Sequence, residues 1–323
     1  MNPPHDPIYA LTALSDAADW TEAFVRHPVY NAYMPITLLT ILHTLRVSHA
    51  TRMISGGKNS RLGLFQSVIL DQIVLFAGSS ILALAIGMPL PIMIAPFPIV
   101  LYSSVHILTS VTGFGDLLLD LHSHPVTGLF MDIVLCTIDA LARTEGIVGL
   151  GFGMLAAHPD PRVANALTAK LFAGAILSGG IPLVAQAFQL TSPTGAWAPT
   201  APAWLQRPAL LLFPDLIGGV LLALVHVVLT HGAHAHAHST VAIAAEKIFG
   251  LPAPKEYIPY TPYLSLRQAK VVDALVLFVV LAVPALTRRL GVLLAQSRTR
   301  TRASGRRSGK NSRAAARNKR KNE

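Results

Sequence analysis

Apolar residues in this chain come in blocks close to the roughly 20 residues that a helix needs to cross a bilayer, and such blocks fill most of its 323 positions. Only 13% of the residues are charged and 52% are hydrophobic, whereas a soluble domain carries charge on about a quarter of its residues. The pattern predicts an all-α membrane protein with seven transmembrane helices, at 24–47, 64–88, 91–111, 128–157, 163–190, 209–229 and 269–294. The single Cys136 excludes an internal disulfide and a thiolate metal cluster. The first twenty residues hold Asp6, Asp16 and Asp19 and lack the apolar core of a signal peptide.

Charge fixes the expected topology. The last 36 positions, 288–323, carry thirteen of the 26 Lys/Arg residues and one acid, so the rest of the chain is slightly acidic despite the formal net charge of +10. That localised charge belongs to a tail and excludes a nucleic-acid-binding fold. Basic residues beside a spanning helix stay on the cytosolic side. Arg46, Arg52, Lys58 and Arg61 follow the first span, and seven spans put this loop and the tail on one side. The expected organisation is a lumenal segment at 1–23, a transmembrane domain at 24–294, and a disordered basic cytosolic tail at 295–323, too poor in apolar residues to fold.

Spans two and five share an echo. Leu75-Phe76-Ala77-Gly78 precedes Gly87-Met88-Pro89-Leu90, and Leu171-Phe172-Ala173-Gly174 precedes Gly180-Ile181-Pro182-Leu183. Helices three spans apart run in opposite directions, so the echo suggests an inverted 3+3 repeat plus one C-terminal helix, an architecture of transport proteins. Gly78 and Gly174 are candidate bending points in these helices, or positions for close helix packing.

Span four holds Asp132, Asp139, Arg143 and Glu145. The first three lie at i, i+7 and i+11, on one narrow stripe of a helix, with Cys136 close by and Glu145 on the far side. Each such charge costs roughly 3 kcal/mol at a helix centre and must face protein or water. The stripe either lines an ion path, its carboxylates favouring cations, or neutralises itself through an Asp139–Arg143 pair. Asp71, Gln72, Lys170 and Asp273 are further polar residues in spans; Lys170 is a candidate pore residue, or snorkels from its helix end. His231, His234, His236 and His238 could hold zinc or copper, or form a low-complexity loop. No enzyme signature is placed usefully. Asp116-x-x-x-Asp120 resembles the carboxylate pair of membrane phosphatidyltransferases, but their Ala-Arg motif belongs upstream and Ala142-Arg143 lies downstream.

Several segments resemble the trimeric intracellular cation channels of endoplasmic and sarcoplasmic reticulum. These are Phe76-Ala-Gly-Ser-Ser-Ile-Leu with Gly87-Met-Pro-Leu, Gly115-Asp-Leu-Leu-Leu-Asp120, Ser178-Gly-Gly-Ile-Pro-Leu183 and Tyr260-Thr-Pro-Tyr-Leu-Ser-Leu266. The resemblance runs with gaps from Ile41 to about Arg289. It implies a homotrimer with one pore per subunit, passing potassium and other monovalent cations as counter-current for calcium release. It also implies a lumenal N-terminus and a cytosolic C-terminus. The family's basic lipid-binding motif falls on Asp139-Ala140-Leu141-Ala142-Arg143; Arg143 is kept, while Asp139 and Gly146 replace basic positions. A phosphoinositide is the lipid this motif implies. The terminal Lys319-Arg320-Lys321-Asn322-Glu323 resembles the retrieval signal of reticulum proteins, carried by Lys319 and Lys321. A metal transporter regulated by the histidine loop, and a scaffold docking through its basic tail, are the rival readings of the same residues.

Overall fold

A computed structural model describes residues 7–30, 36–208, 213–231 and 263–319. Helix α1 (Pro7–Arg26) ends where Pro28, which lacks an amide hydrogen, turns His27 out of helical geometry. The chain continues as a short antiparallel pair, β1 (Pro28–Tyr30) and β2 (Ile36–Thr37), with Pro28 opposite Thr37. Thr37 then caps α2 (Leu38–Ile54), its hydroxyl accepting the amide of Thr40 at 3.2 Å. The first expected span is therefore not one helix: the break at Pro28 and the β pair interrupt it, and α2 extends seven residues past the expected end at Val47 into the basic loop.

Helix α3 (Leu64–Ala85) is apolar around most of its circumference. The third expected span is broken at Ala95, between α4 (Pro91–Ile94) and α5 (Pro96–Val111), because Pro96 cannot continue the hydrogen-bond ladder. Gly113, at φ +73°, turns the chain into α6 (Phe114–Ser123), bent by 78° from α5. A second proline break starts α7 (Pro125–Thr144). This helix widens into a π segment, Glu145–Gly151, and regains α geometry as α8 (Phe152–Ala156) without interruption, 32 residues in all. Three glycines in the seven-residue π segment remove side chains that would otherwise favour α geometry.

After the turn α9 (Pro161–Ala164) comes α10 (Leu167–Ala187), then a short α11 (Ala203–Gln206), α12 (Pro214–His231) and α13 (Leu266–Lys319). Helix α13 stays helical to Lys319, beyond the position 295 at which composition places a disordered tail. No proline follows Pro284, and Ala, Arg and Lys are good helix formers.

Among the described residues, four helices are long and apolar enough to cross a membrane: Leu64–Ala85, Pro125–Ala156, Leu167–Ala187 and Leu266–Leu293. The bent pair α5–α6 makes a fifth if counted as one span, and Pro214–Thr230 is apolar but shorter. The protein is a multi-pass, all-α membrane protein. Outward-facing Leu84, Val100 and Phe130 are 63–70% exposed, as lipid-facing side chains are.

Helix α10 sits at the centre, against α3 on one side and α12 on the other. A Cβ on Gly180 would lie 2.6 Å from the Gly78 Cα, and one on Gly78 would lie 2.6 Å from the Ile176 carbonyl oxygen. On the opposite face, Gly174 and Gly219 leave no room for a Cβ on either. These contacts bring backbones together, the main source of helix association where water supplies no driving force. Buried Leu70, Val74, Tyr102 and Ala185 fill the space on the α3 side, and Ile147, Leu222 and Leu277 fill it on the α12 side.

Candidate functional site

Asp139 and Arg143, in the charged stripe of α7, meet partners from three other helices. Asp139 Oδ2 accepts hydrogen bonds from Arg143 of its own helix and from Arg46 of α2, both at 3.0 Å. Arg143 Nη1 also donates to the Ser178 carbonyl of α10 at 2.9 Å, to the Ser178 hydroxyl at 3.1 Å, and to Asp215 of α12 at 2.5 Å. Two guanidinium groups and two carboxylates thus form one neutral cluster inside the bundle. The i,i+4 pair expected from the sequence is present, but it is half of a larger arrangement that one helix could not supply.

Two cavities share this cluster as a common wall. Arg46, Asp139, Arg143, Ala50, Val74 and Ile181 line both. The smaller, about 200 Å³, is completed by His43, Gly78, Ser79, Gly146, Leu150 and Leu177. The larger, about 570 Å³, is completed at the opposite end of the cluster by residues including His49, His122, Asp132, Cys136 and Asp215. At about 30 Å³ per water, each volume holds several molecules. Helices α2, α3, α7 and α10 border both spaces, and the layer of ion pairs lies between them.

Asp132 belongs to a second cluster at the wide end. Its Oδ2 accepts from Arg289 of α13, and its Oδ1 lies 2.7 Å from His122 Nε2 of α6. His122 Nδ1 is 2.8 Å from His49 Nε2 of α2. Gly128 makes room for this arrangement, since a Cβ there would lie 2.6 Å from the Arg289 Cζ. Nearby, Arg52 pairs with Asp116 and Lys58 with Asp120, the latter at 2.6 Å. The loop after α2 and Arg289 before the basic tail are therefore at the same end of the bundle. Asp19 of α1 and Arg267, at the start of α13, meet at 3.8 Å at the other.

No family model matches this sequence, no curated protein matches it, and no solved structure matches the fold. The arrangement of the residues themselves carries the functional argument.

The remaining expected site residues are distributed as follows. Gly78 lines the smaller cavity and, like Gly174, stands at a close helix crossing. Lys170 lies over the Phe152 ring, 5.9 Å from its centroid, and lines neither central cavity. Arg143, the position expected to hold a lipid headgroup, is engaged by Asp139, Ser178 and Asp215. Glu145 accepts from Lys270 of α13 at 2.7 and 2.8 Å. Asp273 is fully buried and 2.5 Å from His226 Nδ1. Gln72 donates to Ser103 at 3.0 Å.

Asp71 is also buried, accepting from Thr51 at 3.2 Å with its Oδ1 3.4 Å from His106 Nδ1. Ser67, His106 and Asp71 lie in sequence as a nucleophile–base–acid set would, but His106 Nδ1 is taken by Ser48 at 2.9 Å. This is a buried polar core, in which Asp71 Oδ2 has no hydrogen-bond partner among the described residues. No group of His, Cys, Asp or Glu able to hold a metal ion occurs among the described residues. His234, His236, His238 and Lys321 lie outside them, and the side chains of His231 and Lys319 are not described.

Sequence reasoning missed the role of α2. His43, Arg46, His49 and Arg52 recur every third residue, which marks one polar helix face. That signal was available, but placing the first span at 24–47 assigned half of it to a loop.

Proposed function

We propose that the protein is a monovalent cation channel of an intracellular membrane, passing potassium as a counter-ion for calcium release. One observation carries the channel reading: the Arg46–Asp139–Arg143–Asp215 layer divides two cavities bordered by α2, α3, α7 and α10; potassium, the intracellular membrane and the counter-ion role rest on the resemblance. In low dielectric, such a layer blocks a path while its ions are paired. Parting Arg46 and Arg143 from Asp139 joins the cavities and leaves carboxylates facing the path. Asp132, Asp139 and Asp215 then favour cations.

The arrangement is compatible with α2, α3 and α5 as one set of three helices, α7, α10 and α12 as its inverted counterpart, and α13 as the seventh span. The crossing of α3 and α10, the middle helices of the two sets, supports this division. The basic loop and tail at one end favour a cytosolic assignment for that end, with α1 lumenal. The homotrimer, the reticulum membrane and any phosphoinositide ligand rest on the resemblance.

The test is a planar-bilayer recording under a potassium chloride gradient. A reversal potential near that of potassium, altered by Asp139→Asn and Arg143→Ala in folded protein, supports the reading. Absence of current at all voltages, with and without calcium and phosphoinositide, refutes it.

A further inference from the structure

The tail end of the bundle holds a polar cavity that shares no lining residue with the two central ones. It measures about 350 Å³ and lies between the loop after α2, the start of α3 and the junction of α5 with α6. At about 30 Å³ per water, it has room for a phosphate with a small body attached. Apart from Leu62 and Leu64, the side chains that line it are polar.

That lining is rich in donors. Arg52 and Lys58 reach the space from α2 and the loop, against one lining carboxylate, Asp116. Arg52 packs on Gly115, where a Cβ would lie 2.8 Å from its Nε. Its partners are Asp116 and, at 3.4 Å, the Ser110 hydroxyl. Gly56 and Gly57, at φ +100° and +61°, turn the loop sharply, so that Lys58 and Ser60 share the cavity wall. The Ser60 hydroxyl accepts from the Leu62 amide at 3.4 Å, as that of Ser110 accepts from Arg52. Among the described residues neither hydroxyl hydrogen has an acceptor, so each can donate to a guest. No side chain caps the first turn of α3, which begins at Leu64 in the same wall. The positive end of that helix adds to the potential there.

We propose that this cavity binds a water-borne phosphate monoester, with Arg52 and Lys58 taking its oxygens and Ser60 and Ser110 donating beside them. The donors stand on several sides of one space. Three terminal phosphate oxygens can meet such a set, whereas the two oxygens of a carboxylate leave part of it unused. The polar lining suits a soluble body rather than an acyl chain. Both cations are already paired, but Asp116 and Asp120 are 53% and 60% exposed, and exposed ion pairs contribute little. A phosphate therefore competes with α6 for Arg52 and Lys58, and its binding weakens the hold of α2 and its loop on α6.

The site stands apart from the channel reading. Calorimetric titration of the full chain, in nanodiscs of zwitterionic lipid, with glycerol 3-phosphate and with glycerol tests it. Glycerol 3-phosphate should bind saturably with a Kd of about 1 mM or tighter, and glycerol should not bind. Asp116→Asn removes a competitor and should tighten binding about threefold. Lys58→Gln, on a half-exposed loop side chain whose loss leaves the fold intact, should weaken it about tenfold. Arg52→Gln should abolish it. No saturable binding in either the natural chain or Asp116→Asn overturns the site, and so does an affinity that Lys58→Gln and Arg52→Gln leave unchanged. Phosphatidic acid added to the nanodisc should not displace glycerol 3-phosphate; displacement overturns the water-borne source and gives the site to a lipid headgroup. A chain that binds glycerol 3-phosphate and passes no current refutes the channel reading and leaves the site standing.

Discussion

Asp139→Asn keeps the shape of the side chain and removes the charge that holds the central layer together. Asp139 is 11% exposed and accepts from two guanidinium groups at 3.0 Å. After the substitution Arg143 keeps Asp215 and Ser178. Among the described residues Arg46 keeps no carboxylate, and its Nε already has no partner. A buried ion stripped of its partner costs about 3–5 kcal/mol. Arg46 is 22% exposed and borders both cavities, so water recovers part of this and the expected loss is about 2 kcal/mol. Arg46→Met removes the stranded cation, so the double variant should be less destabilised than the sum of the single ones, by about 2 kcal/mol in a mutant cycle. Equilibrium unfolding in bicelles measures that coupling. Flux provides a second reading: the layer becomes singly positive, and a unit charge about 10 Å from the path at an effective dielectric of about 20 lowers cation passage about tenfold. Additivity within about 0.5 kcal/mol, or unchanged flux, would refute the assignment of Arg46 and Asp139 to one electrostatic layer.

Gly78→Val should force α3 from α10, because even its Cβ has a carbonyl oxygen at 2.6 Å; a loss of about 2 kcal/mol is expected. Gly153→Ala, where a Cβ meets nothing within 4 Å, should be neutral or slightly stabilising in the same equilibrium unfolding measurement. Cys136, the single cysteine, lines the larger cavity. A small cationic thiol reagent applied to the tail side should label it and reduce potassium flux, and complete protection by Cys136→Ser identifies the site. In the loop before α10, hydrogen bonds from the side chain and then the backbone N–H of Arg162 hold the Asp160 carboxyl below its usual range. The stabilisation is full above about pH 4 and is lost as pH falls through the lowered value. Asp160→Asn should flatten that acid limb in a thermal scan.

The intramembrane charges on α7 were legible because residues 132, 139 and 143 share a face at any plausible helix boundary. Their partners were harder to read. Arg46 lies 93 residues from Asp139, and Asp215 lies 72 from Arg143, so no periodicity connects them. Helix α2 was obscured by the break at Pro28, which puts its start at Leu38, well past the apolar residues that open the block. The spans at 128–157, 163–190 and 269–294 survive with small changes at their ends, since long apolar blocks outweigh local propensity. The paired glycines were visible as small residues, but a sequence does not say whether a glycine yields to bending or admits a neighbour. Here Gly78 and Gly174 each face another backbone.

Helices α7 and α13 are joined as a ladder with two rungs, Asp132–Arg289 near one end and Glu145–Lys270 near the other. A helix held at one point can pivot, and one held along a greasy seam can slide. Two ionic rungs on antiparallel rails resist both. Whatever displaces the stretch between the rungs, where Asp139 and Arg143 sit, must carry α13 with it or break a rung. The long helix leading to the basic tail is in that sense a handle, and a pull on it from outside the membrane is felt at the centre of the bundle.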